Sequence, residues 1–112
     1  MDYGAILEQA HTSAREAIKD LKEDMFSLNC GFQWIVIEDG RHPFVNWCRK
    51  QANGDSLNRG EYGEKAYPKG WTWWNVGNFG GQDVDVKRVA GQAFVKVLAE
   101  HNIKAVCRTR LD

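Results

Sequence analysis

The chain has 112 residues, 43% apolar and 27% charged, with fifteen basic and fifteen acidic side chains in balance. That length and composition suit one globular domain and exclude intrinsic disorder. The zero net charge excludes a strongly basic duplex-DNA binder, so a nucleic-acid role would rest on a local patch.

No apolar run approaches the ~20 residues of a membrane span. The opening MDYGAILEQA lacks the basic and apolar regions of a secretory signal, so a cytoplasmic setting is expected. Cys30, Cys48 and Cys107 are odd in number and widely spaced, which is no disulfide framework; reduced thiols are expected.

Residues 2–28 are predicted as a helix. Tyr3, Leu7, Ala10, Ala14, Ala17, Leu21, Met25 and Leu28 recur in steps of four and three, one helical face. Asp2 is placed to cap its first turn. The seam would pack on the domain's own sheet; the same spacing suits pairing of two copies, a homodimer through residues 3–28.

Phe32–Glu38 is predicted as a strand, with Phe32, Trp34 and Val36 on one face and Gln33, Ile35 and Ile37 on the other. Both faces are largely apolar, which places it centrally. Pro43 opens a short helix that Asn53-Gly54 ends. Residues 53–69 form a long glycine-containing loop, with room for a hairpin near Arg59–Gly63. Trp71–Val76 is a second strand, and 77–82 a glycine-rich turn. A helix follows over 83–101, its stripe being Val86, Val89, Ala90, Ala93, Phe94, Val97 and Leu98. Asn102 is a helix stop. Ile103–Leu111 is a third strand with Lys104, Arg108 and Arg110 on its outer face. The expected fold is one α+β domain over 1–112: a three-stranded sheet, helices mainly on one face, order α-β-α-β-α-β, with the N-terminal helix preceding a core at 30–112.

The turn at 76–85 resembles a phosphate loop only superficially. It has no Gly-Lys-Ser/Thr ending, and Asp83 and Asp85 at the helix start would cap its amides and repel an anion. His11, Cys30, His42, Cys48, His101 and Cys107 show no metal-ligand spacing, so no metal and no cofactor is expected. Nor do the cysteines sit in a setting that lowers a thiol pKa. No catalytic arrangement emerges.

The functional lead is aromatic and basic. Lys65, Tyr67, Lys69, Trp71 and Trp73 alternate, followed by Trp74 and Asn75, and Arg108 and Arg110 alternate on another strand. Rings beside cations make a platform on which bases stack and phosphates are tracked. The same residue types dominate protein-recognition hot spots. Buried, the tryptophans would instead be core.

CGFQWIVI at 30–37, FVNWCRK at 44–50, KAYPKGWTWWN at 65–75 and GGQDVDVKRVAGQAFVKVLAEHNIKAVCRTRLD at 80–112 resemble an uncharacterised family of small proteins from tailed bacteriophages and prophages. The resemblance covers residues 30–112. It implies a phage setting and a host-cell cytoplasm, and carries over no catalytic residue. The expected function is a non-catalytic phage-type binding protein, acting on a protein or nucleic acid through the aromatic and basic surface. Two alternatives stand beside it. One is a nucleotide-like small-molecule binder or small enzyme using the 53–69 loop as a lid over the 77–85 turn, with Asn75 and Gln82 supplying hydrogen bonds. The other is a structural homo-oligomer through the N-terminal helix.

Overall fold

The computed structural model describes residues 2–21, 30–54 and 59–111. The elements are α1 (Tyr3–Ile18), β1 (Gly31–Ile37), α2 (Pro43–Gly54), α3 (Arg59–Tyr62), β2 (Glu64–Lys65), β3 (Trp71–Trp74), α4 (Val84–Glu100) and β4 (Val106–Leu111). The fold is α+β, as expected, but the sheet has four strands in the order β2-β3-β1-β4, every neighbouring pair antiparallel. The expected three-stranded order is corrected by β2. It pairs Glu64 with Thr72 and Lys65 with Trp71, so the hairpin lies at 64–72, while Arg59–Tyr62 is helical. From β1 onward, with α3 as an insert, the connectivity is that of a split β-α-β-β-α-β unit.

The inner sheet face is set by Gln33. It shares its parity with Gly31, Ile35 and Ile37, and all four are buried. The Gln33 amide is 1% exposed yet fully bonded. Its Nε2 donates to Val76 O at 3.1 Å and Lys87 O at 2.6 Å, and its Oε1 accepts from Val76 N at 3.1 Å. One side chain therefore ties β1 to the segment after β3 and to the first turns of α4. Gly91 makes the approach of α4 possible: a Cβ there would collide with Cys107 Sγ and come 3.1 Å from Gln33 Cγ. Lys87 adds a second tie, its buried Nζ donating to Gly31 O at 2.8 Å.

Helix α1 starts as predicted, with Asp2 accepting from Ala5 N at 3.0 Å. It ends at Ile18 rather than near 28, where the Leu21 amide turns back to the Ile18 carbonyl. The rest of the expected helix, 22–29, lies outside the described residues. Leu7, Ala10 and Ala14 of the proposed dimer seam are buried, with Ile6 and Ile18, in one core cluster with Ala90, Phe94 and Leu98 of α4. Small alanines let the two helices approach closely.

Helix α4 begins at Asp83, whose carboxylate accepts from Asp85 N at 2.9 Å, and ends with Asn102 at φ 61°. Asn102 N bonds Ala99 O and Ile103 N bonds Leu98 O. This is a Schellman stop, with Ile103 buried against the helix end. It uses residues 103–105 to leave the helix, so β4 starts at Val106 rather than Ile103. The buried stripe of α4 is also rotated from the predicted one. Val84, Lys87 and Gly91 are buried while Val89 is exposed, because the helix rests on the sheet through Lys87 and Gly91.

The aromatic core lies between helices and sheet. Trp73 stacks on Phe44 of α2 at 6.1 Å between centroids and tilts against Phe94 of α4 at 5.4 Å. No helix among the described residues is long and apolar enough to cross a membrane.

Replacing Gln33 by Ala removes three buried hydrogen bonds and takes this partner from the Val76 N–H and carbonyl. Urea unfolding should show a loss of about 3 kcal/mol.

Candidate functional site

Strand parity decides which aromatic residues are available. With Gln33, Ile35 and Ile37 inward, Phe32, Trp34 and Val36 point to the face away from the helices. The register extends that face across the sheet. Trp34 sits opposite Trp74 on one side and Arg108 on the other; Val36 sits opposite Thr72 and Val106; Phe32 sits opposite Arg110.

Trp34 and Trp74 stack at 5.2 Å between centroids, 30° from parallel. Trp74 is 54% exposed and Phe32 50%. This indole pair forms a ridge with a recess on each side. The larger recess, about 570 Å³, has Val36 and Thr72 as its floor. Tyr67, Pro68 and Lys69 wall it opposite the ridge, and Glu38 and Arg108 line it as well. The smaller recess, about 350 Å³, is bounded by Phe32, Trp34, Trp74 and Arg110. Arg108 Nη2 donates to Glu38 Oε1 at 3.0 Å, both side chains being half exposed. Lys65 Nζ stands 5.5 Å from the centroid of Tyr67, which is 83% exposed. The Thr72 hydroxyl donates to Ile35 O at 2.7 Å, which leaves its oxygen able to accept on the recess floor.

The wall is held from beneath. Ala66 N bonds Gly70 O at 3.0 Å, closing the 66–70 loop. Gly70 has φ 96°, and a Cβ there would run into Ile37 O. Before the loop, α3 is pinned by its carbonyls. Glu61 O accepts from Trp73 Nε1 at 3.0 Å and lies 2.8 Å from His11 Nε2; Tyr62 O accepts from Trp71 Nε1 at 2.7 Å. A carbonyl only accepts, so His11 Nε2 carries the proton. Burial lowers the His11 pKa below its usual 6.5, against the opposing pull of the Glu61 carbonyl and carboxylate.

The predicted site residues are therefore divided. Lys65, Tyr67 and Lys69 lie in the wall, and Trp74, Arg108 and Arg110 on the open face. Trp71 and Trp73 are 4% and 1% exposed on the helix-covered face, so they serve the core and hold α3, not a surface. Asn75 ends β3 at φ 49°, and its side-chain amide donates to Phe79 O at 3.2 Å, fastening the turn. Gln82 is exposed in the 77–85 turn, where its carbonyl accepts from Gly31 N at 3.1 Å. That turn adjoins the Gly31 end of β1, while the 66–70 loop adjoins the Ile37 end, about 20 Å away along the strand. The 66–70 end of the expected lid therefore lies away from the turn, and residues 55–58 of it lie outside the described residues. Phe32, Trp34 and Glu38 were missed. Their signal was the matching parity of Phe32 and Trp34 with Arg110 and Arg108 in an antiparallel pairing.

Burial raises the Cys48 thiol to about 12 and raises that of Cys107 too, which suits inert cysteines. Among the described residues no three His, Cys, Asp or Glu side chains are grouped to hold a metal. No family model, curated protein or solved structure matches the chain.

The lowered His11 pKa has a pH consequence. The unfolded chain takes up its proton near pH 6.5 while the folded chain resists, so this contribution is complete above 6.5 and is lost as pH falls towards the folded value. The melting temperature should fall as pH drops below about 6.5, and His11→Gln should flatten that slope.

Proposed function

We propose that this chain is a small non-catalytic binding protein of phage type whose open sheet face takes single-stranded nucleic acid. The phage setting rests on the family resemblance alone. The binding reading rests on the Trp34–Trp74 ridge with an arginine-bearing recess on either side.

A four-stranded antiparallel sheet with helices on one face and aromatic rings on the other is one of the ways single strands are bound, and that likeness is an analogy of architecture. The chemistry of the face supports it independently. Phe32 and Trp34 are two residues apart on β1, about 7 Å along the strand, which is a distance a splayed nucleotide spans. Bases would stack on Phe32, Trp34, Trp74 and Tyr67. Arg108, Arg110, Lys65 and Lys69 would meet the phosphates. A ridge between two recesses suits a polymer that crosses it. A mononucleotide would fill one recess and leave the other open.

Binding should be read by tryptophan fluorescence with a thymidine oligomer of about 11 nucleotides. Quenching is expected, with affinity falling steeply between about 50 and 200 mM salt. Trp74→Ala should lose about tenfold or more in affinity. Arg110→Ala should reduce the salt slope by about one. Absence of binding to any single strand, with a protein captured through the same face, would replace this reading by a protein-recognition one.

A further inference from the structure

The larger recess carries more than stacking surface and cations. A carboxylate repels a bound phosphate backbone, but its oxygens can accept from the N–H donors of a base. Glu38 is such a carboxylate, and it lies beside the Arg108 guanidinium at 3.0 Å.

We propose that the Glu38–Arg108 pair selects a guanine base in the larger recess, stacked on Trp74 and seated over Val36 and Thr72. This rests on the single-strand reading above and adds base choice to it. The paired groups offer two acceptor oxygens next to guanidinium donors. Guanine offers the complement along one edge: the N2 amino group and N1–H as donors, then O6 as an acceptor. Arg108 engages one carboxylate oxygen through one nitrogen. The carboxylate retains lone pairs for the base, and the guanidinium retains N–H groups for O6. Thymine and uracil set a carbonyl on each side of their single ring N–H, so one carbonyl would face the carboxylate. Adenine and cytosine place a ring-nitrogen acceptor beside their amino donor, which again faces the second oxygen. A recess of about 570 Å³ has room for a purine.

The test uses the full chain and four DNA oligomers of about 11 nucleotides: all thymidine, and the same strand with one central guanine, adenine or cytosine. The guanine strand should bind about tenfold more tightly than the other three. Glu38→Gln, at a half-exposed position that should fold normally by circular dichroism, should bring the ratio of guanine-strand to thymidine-strand affinity close to one. Guanosine monophosphate should bind far more weakly than the guanine strand. Equal affinity for all four strands, with Trp74→Ala still weakening each, overturns the guanine assignment and leaves the stacking face standing. A guanine preference that survives Glu38→Gln overturns the role of the pair. Guanosine monophosphate binding as tightly as the strand overturns the placement of this base in a polymer. Failure of every oligomer to bind overturns the single-strand reading itself.

Discussion

The inward side chain of Gln33 is the constraint on which the molecule turns. A strand alternates its faces, so burying one residue decides the direction of all its neighbours. Gln33 is a polar residue in an apolar layer, and its burial is tolerable because each amide hydrogen bond is made within the protein. Those bonds place the end of β3, the start of α4 and the centre of β1 in one arrangement. They also commit Phe32 and Trp34 to the side that no described helix covers. The exposure of two large rings on β1 thus follows from where the amide found its partners.

The two faces of β3 divide the tryptophans by chemistry. Trp71 and Trp73 are buried and use their indole N–H groups to hold the carbonyls of α3. That anchoring supports β2 and the loop whose Tyr67 walls the larger recess. Trp74 on the opposite face stacks on Trp34 and remains half exposed. Large rings in water are costly to leave uncovered, and here they are bordered by Arg108, Arg110 and Lys65. Rings and cations together are the ingredients of a surface for a flat, anionic ligand.

Much of the architecture was legible in the sequence because it is encoded locally. The helix starts at Asp2, Pro43 and Asp83 and the stop at Asn102 are side-chain and backbone preferences of single residues, and each stands where its chemistry placed it. The fourth strand was not legible, since two residues carry no period of their own and β2 exists only through its pairing with Thr72 and Trp71. The early end of α1 was equally hidden, as Leu21 fits the apolar face of a longer helix. Of the site, Tyr67, Arg108 and Arg110 could be named from alternation, and Trp74 only as a neighbour of the alternating run. Trp34 and Phe32 could not be separated from core residues without the strand order. An apolar outer face on β1 reads the same whether a second layer covers it or a ligand does. Assigning Trp71 and Trp73 to a surface failed for the same reason: period two gives a face its members, not its side of the sheet.

The five tryptophans of the chain offer a direct test of whether the Trp34–Trp74 face binds single strands. Their indole N–H signals can be followed by NMR while a short single-stranded oligonucleotide is added. Trp34 and Trp74 should shift with saturation, while Trp71 and Trp73, whose N–H groups are bonded to Tyr62 O and Glu61 O, stay in place. Unchanged Trp34 and Trp74 signals at saturating oligonucleotide, or shifts confined to Trp47, Trp71 and Trp73, would contradict it.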